Sequence, residues 1–221
     1  WAPKDTATTV VRSDGTWETT LKTTEAGGPY TLSILGNGSR ELKDVMLGEV
    51  WLCSGQSNME WTPMSNIDNR DEEIASANHP DIRFFHIPKR GATTPQNNCE
   101  ASWATCTPDV MKNTSAVAYF FGRNLQKDLN VPIGLIVSAW GGTPAEVWTP
   151  EERVMENPQI RDAMPDKTYL WWPVEPGVLY NQMINPIVPY SLAGAIWYQG
   201  ESNRDHPDSY GILLKTMIES W

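Results

Sequence analysis

Histidine is the scarcest chemistry in this chain: only His79, His86 and His206 occur in 221 residues. There are three cysteines, and no cysteine pair stands at metal-ligand spacing with a histidine, which argues against a structural zinc site. Basic residues are also few, 17 Lys plus Arg against 27 Asp plus Glu, for a net charge of −10. A chain without a basic stripe cannot neutralise a phosphate backbone, so nucleic acid is excluded as a partner. No apolar run approaches the length of a membrane span, and no internal repeat or low-complexity segment appears. What is abundant is aromatic: 11 Trp, 7 Tyr and 4 Phe, with 40% hydrophobic residues overall, rule out a disordered chain.

Three segments share one architecture. Val50-Trp51-Leu52-Cys53 is apolar and runs into Ser54-Gly55-Gln56-Ser57-Asn58-Met59-Glu60. Ile133 to Trp140 is apolar and runs into Gly141-Gly142-Thr143, and Leu192 to Tyr198 runs into Gln199-Gly200-Glu201-Ser202-Asn203. Fully apolar strands covered on both faces mark a parallel sheet, and each of these ends in glycine plus polar residues. The three loops are therefore expected on one sheet edge, with Ser57 the candidate nucleophile where Gly55 lets the chain turn. A polar turn after a core strand is the plainer reading of any one block alone.

The remaining organisation follows from periodicity. Residues 1–44 read as a partial accessory β-domain, with alternation at Thr16–Leu21 and Pro29–Ile34 and a hairpin signal at Asp14-Gly15. Residues 45–221 alternate strand and helix. Ile82–Ile87 reads as a strand, with His86 packed inside it. Ser115 to Asn130 reads as a helix capped by Thr114 or Ser115, with Val117, Phe121, Leu125 and Leu129 on one face. Tyr210 to Trp221 reads as a second helix. Thr143 to Pro189 is long, rich in Pro and Trp, and fits a lid or functional loop. Cys99 and Cys106 are the candidate disulfide in a turn-rich stretch, leaving Cys53 a buried free thiol. Asn37 and Asn113 open glycosylation sequons, about as many as composition alone would produce. These features suit a secretory route: lysosomal or extracellular, or periplasmic in a bacterium.

The set Gly55-Gln56-Ser57-Asn58-Met59, Trp140-Gly141-Gly142-Thr143 and Gln199-Gly200-Glu201-Ser202-Asn203 resembles the sialate O-acetylesterase family of the SGNH-hydrolase superfamily, from about Gly27 to Trp221. The resemblance implies an α/β fold with a doubly wound parallel sheet, SGNH/flavodoxin-like, after a partial N-terminal antiparallel β segment. It implies a serine esterase that needs no cofactor and removes O-acetyl groups from sialic acids through an acetyl-Ser57 intermediate. An acetylxylan-type esterase, or a non-catalytic carbohydrate-binding protein on the same scaffold, are the alternatives. The expected partner is an O-acetylated sialoglycan or another acetylated sugar, with no membrane partner.

Oxyanion donors expected by this resemblance are the Ser57 amide, a Gly141 or Gly142 amide, and a side chain of the third block. Where related enzymes carry Gly-x-Asn, this chain reads Gly200-Glu201-Ser202, which leaves Gln199 or Asn203 for the third donor. Glu201 is either an acid orienting a base or a structural carboxylate. Trp171 and Trp172 are candidate sugar contacts, whereas Trp140 and Trp197 read as core or pocket wall. The family's catalytic histidine belongs to an Asp-x-x-His pattern that this sequence does not contain. The expectation is a fragment whose histidine lies in a C-terminal remainder or on a second docked chain, with His206 the one internal substitute.

Overall fold

The computed structural model describes residues 5–164 and 169–221, so parts of the accessory segment (1–4) and of the long loop (165–168) lie outside the described residues. The chain divides into two compact units, 1–48 and 49–221.

In the first unit, β1 (Gly27–Leu35) and β2 (Ser39–Leu47) pair antiparallel around the turn at 36–38. The pairing of β1 matches the alternation at Pro29–Ile34. Thr16–Leu21, by contrast, forms no strand, although Asp14-Gly15 does turn the chain: the Arg12 amide donates to the Thr16 carbonyl at 2.8 Å. The alternating side chains there are nearly all exposed, and alternation without burial gives little reason to pair.

The second unit is built on a five-stranded sheet in the order β5-β4-β6-β3-β7: β3 (Glu49–Gly55), β4 (His79–His86), β5 (Trp103–Cys106), β6 (Ile133–Ala139) and β7 (Gly194–Tyr198). β4, β6, β3 and β7 run parallel, and β5 returns antiparallel against Arg83–Phe85. The parallel strands are the apolar runs of the sequence, because both their faces are covered. Cys53, Phe84, Leu135 and Val137 point into one layer, with Ala118 and Tyr119 of α4 (Ala116–Leu129). Their neighbours Leu52, Phe85 and Ile136 point into the other, with Met217 of α7 (Pro207–Ser220). The short helices α1 (Ser57–Glu60), α2 (Arg70–Ser76) and α3 (Pro108–Met111) pack on the α4 side, and helices on both faces are the doubly wound arrangement.

α4 begins where the capping pattern places it, with the Ser115 hydroxyl accepting from the Ala118 amide at 3.0 Å. Its packed face includes the expected Val117, Phe121 and Leu125, half-buried against the core, but is centred on smaller residues. Ala116, Ala118, Tyr119 and Gly122 are buried, whereas Leu129 is 46% exposed. The cause is close approach: a Cβ on Gly122 would lie 2.5 Å from Leu135 Cδ1, so the small-residue side meets the sheet.

Among its described residues the stretch 143–189 contains a 3-10 turn at Ala145–Trp148, the short helices α5 (Glu151–Glu156) and α6 (Pro158–Arg161), and a π turn at Tyr180–Ile184, and Trp148 is fully buried. The disulfide expectation changes. The cysteines are all free. Cys106 is sealed into the layer under α4, while Cys99 packs with the opposite layer, so the sheet separates the proposed disulfide pair.

Candidate active site

Parallel pairing places the three polar loops together. Gly55 of β3 is in register with Ala139 of β6 on one side and Tyr198 of β7 on the other, so all three strands deliver their following loops to the same carboxyl edge. The chain order crosses over at β3, with β4 lying to one side and β7 to the other, which is where open α/β sheets leave a crevice.

Gly55 makes the junction possible. Its φ is +144°, and a Cβ there would fall 2.2 Å from the Tyr198 carbonyl oxygen. The backbones are stitched directly: the Gln56 amide donates to the Tyr198 carbonyl at 3.0 Å, and the Trp140 amide donates to the Gly55 carbonyl at 3.1 Å. Past that knot, α1 (Ser57–Glu60) starts with Ser57 exposed at its first position. Gly141 stands beside it, since a Cβ on Gly141 would lie 3.4 Å from Ser57 Cβ.

The first and third loops are tied by side chains. Buried Gln56 turns its Oε1 to the amides of Gly200 (3.2 Å) and Ser202 (3.3 Å). Asn58 Nδ2 donates to Glu201 Oε1 at 2.8 Å, so Glu201 braces Asn58 in this arrangement. Both third-donor candidates are engaged in the framework. Gln199 Nε2 donates to the Thr143 carbonyl at 3.2 Å and to Asn203 Oδ1 at 2.7 Å, which commits both of its hydrogens. Asn203 is buried; it accepts the Ala145 amide at 2.9 Å and donates to Glu146 Oε2 at 2.8 Å. Burial pushes the Glu146 carboxyl up, and the Asn203 hydrogen bond opposes that rise.

Around the second loop, Gly142 has φ +80° and lies under the Trp172 indole, which a Cβ would meet at 2.5 Å. Trp172 stacks on Tyr169 with centroids 4.8 Å apart, and Trp171 next to it is 75% exposed. Trp197 packs edge-on between Trp148 and Trp221, against the core. The Gly141 amide donates to Glu60 Oε2 at 2.6 Å, and Glu60 Oε1 is ion-paired with Lys89. Glu60 and Lys89 line a cleft of about 160 Å³ together with His86, Asn113, Ser115 and Ala139. Neither residue was singled out from sequence. Glu60 lies inside the first motif, one helical turn after Ser57, which is the signal that could have found it; Lys89 carries no such signal.

The histidines divide by position. His79 opens β4 at the opposite, amino edge of the sheet and meets the Tyr119 hydroxyl at 3.2 Å. His86 ends β4 at the carboxyl edge. It opens onto the cleft rather than packing in the core, and its Nε2 is 2.6 Å from Thr114 Oγ1. Desolvation holds its pKa below the ordinary value. His206 stands just before α7, makes no side-chain capping hydrogen bond and is exposed. Among the described residues, none of the three hydrogen-bonds the Ser57 hydroxyl.

Residues 47–221 match the family described as carbohydrate esterase, sialic acid-specific acetylesterase. The chain belongs to that family. Within it, the sialate O-acetylesterases of Pongo abelii and Homo sapiens are each 33% identical to this chain over 229 residues, covering 97% of it and 44% of their own length. The solved structure of a carbohydrate acetylesterase from Xanthomonas citri superposes with a TM-score of 0.79 at 33% identity, covering 94% of this chain and 48% of that one. This family member therefore spans a little under half the length of those relatives. Its sequons Asn37 and Asn113 are both exposed, the first in the β1–β2 turn and the second at the cleft rim. Among the described residues, no three His, Cys, Asp or Glu side chains gather as a metal site would require.

Proposed function

We propose that this chain carries the nucleophile and oxyanion elements of a serine esterase that removes O-acetyl groups from sialic acids. The observation that supports this most is the exposed Ser57 at the carboxyl edge with Gly141 beside it, within a chain of the sialic acid-specific acetylesterase family. Ser57 Oγ attacks the acetyl carbonyl carbon, its proton passes to a general base, and the carbonyl electron pair becomes an oxyanion. The Ser57 amide and the Gly141 and Gly142 amides are the donors for that oxygen. Collapse expels the sugar oxygen, which takes a proton from the base. Water then releases acetate from acetyl-Ser57, and no cofactor enters either half.

Gln199 and Asn203 serve here by holding the third loop rigid, since their amide groups are bound to Thr143, Ala145 and Glu146. The base is assigned to a group outside the three histidines of this chain, in line with the Asp-x-x-His segment that the resemblance implies. Without it, Ser57 retains only what oxyanion stabilisation and binding supply.

The Xanthomonas citri structure bears the broader description of a carbohydrate acetylesterase, which keeps a neutral acetylated polysaccharide as the second reading. The test is acetate release by the full-length protein from O-acetylated sialic acid and from acetylated xylan. Release from the sialic acid is expected. Release from xylan alone would replace the substrate, and binding without release from either would favour a carbohydrate-binding protein.

A further inference from the structure

The Gly141 amide, placed to receive a substrate oxyanion, already holds an anionic oxygen from the protein itself. Glu60 Oε2 accepts that N–H at 2.6 Å, in the short range of charge-assisted hydrogen bonds. A single N–H cannot serve Glu60 and an acyl oxygen at full strength together. The second oxygen of the same carboxylate is anchored by Lys89, whose side chain is 43% exposed at the cleft. The carboxylate thus bridges the catalytic turn and a cation that an incoming ligand can reach. We propose that Glu60 is an internal plug of the oxyanion position, withdrawn when the carboxylate of an anionic sugar takes over Lys89. Glu60 is on this account a positioning residue that acts through the Gly141 amide.

The proposal rests on the esterase reading above and deepens it toward substrate choice. Three physical points carry it. A carboxylate oxygen on the Gly141 amide has the charge that the tetrahedral oxyanion would bring to the same donor. Glu60 is rooted on α1 with Ser57, so the plug moves on the nucleophile's own element and needs only a side-chain rotation. Among the described residues that line the cleft, Lys89 is the lysine or arginine, in a chain of net charge −10, so an anionic sugar and Glu60 compete for one partner. A neutral acetyl ester offers nothing to Lys89 and must displace the plug unaided. Discrimination for the acid would then arise from release of the donor as well as from binding.

The experiment compares kcat/KM of the full-length protein on a neutral aryl acetate and on O-acetylated sialic acid, for wild type, Glu60→Ala and Lys89→Met, with thermal unfolding alongside. Removing the plug is expected to raise kcat/KM on the aryl acetate by about tenfold, the scale of one competing charged hydrogen bond. The sialate-to-aryl preference falls with it. Lys89→Met is expected to lower the same preference from the other side, by slowing the sialate more than the aryl ester. Should Glu60→Ala unfold, Glu60→Leu keeps most of the bulk, offers the Gly141 amide no acceptor, drops the ion pair with Lys89 and carries the same comparison. Equal losses on both esters would mark Glu60 as a brace of the Gly141 turn and overturn the plug while leaving the esterase standing. A wild-type protein inert on both esters would overturn the esterase reading, and the plug with it.

Discussion

Gln56 Oε1 lies 3.2 Å from the Gly200 amide, joining loops that are 144 residues apart in sequence. The same oxygen takes the Ser202 amide, so one buried side chain fixes the third loop against the first. Gln56→Ala leaves two backbone donors without this acceptor and opens a small void. It should destabilise the protein by about 1–3 kcal/mol, measured by denaturant unfolding. A loss near zero would mean the loops are held by their backbone contacts alone.

Gly55→Ala should be worse than its single methyl suggests. The new Cβ would meet a backbone carbonyl at 2.2 Å, and φ of +144° is itself unfavourable for alanine. Backbone cannot step aside as a flexible side chain can, so β3 and β7 would have to part. Little soluble protein, or a loss of more than about 2 kcal/mol, is the expected outcome.

Asn203→Ala removes the hydrogen bond that favours the charged form of buried Glu146. The folded-state pKa of Glu146, already raised by burial, rises further. A carboxyl with a raised folded pKa stabilises the fold below its unfolded pKa and loses that contribution as pH climbs through the folded value. The variant should therefore be destabilised more at pH 7 than at pH 5, as urea midpoints at the two values would show.

The thiols test the cysteine arrangement. Burial pushes Cys53 up to about 12 and Cys106 up to about 11 from a common 9.0. Both should resist a thiol reagent in the native protein while half-buried Cys99 reacts, and all three should react after unfolding. The raised folded values also mean that stability, full below about pH 9, declines as pH rises toward 11 and 12. Native protein with no free Cys99 would contradict this.

Much of this was legible in the residues. Apolar runs ending in glycine identified β3, β6 and β7 and their shared edge, because strands buried on both faces have few other ways to read. The Ser115 cap was legible for the same local reason. β5 and the separation of Cys99 from Cys106 were not, since a four-residue edge strand is selected by the partner β4 offers it and not by its own pattern. Val117, Phe121 and Leu125 of α4 pack as their period implies, but the closest approach to the sheet, made by Gly122 and two alanines, leaves no apolar signal and Leu129 stays exposed. The adjacency of Ser57 and Gly141 was legible too, because their motifs close strands that share an edge. The engagement of Gln199 and Asn203 depends on Thr143, Ala145 and Glu146, which are more than 50 residues away in sequence.

The most direct test is rapid-quench mass spectrometry of the full-length protein turning over O-acetylated sialic acid. The peptide bearing Ser57 should gain one acetyl group during turnover, and Ser57→Ala should lose both the adduct and, by on the order of a thousandfold or more, the rate. Undiminished acetate release by Ser57→Ala, or an acetyl group trapped on another residue, would contradict the account.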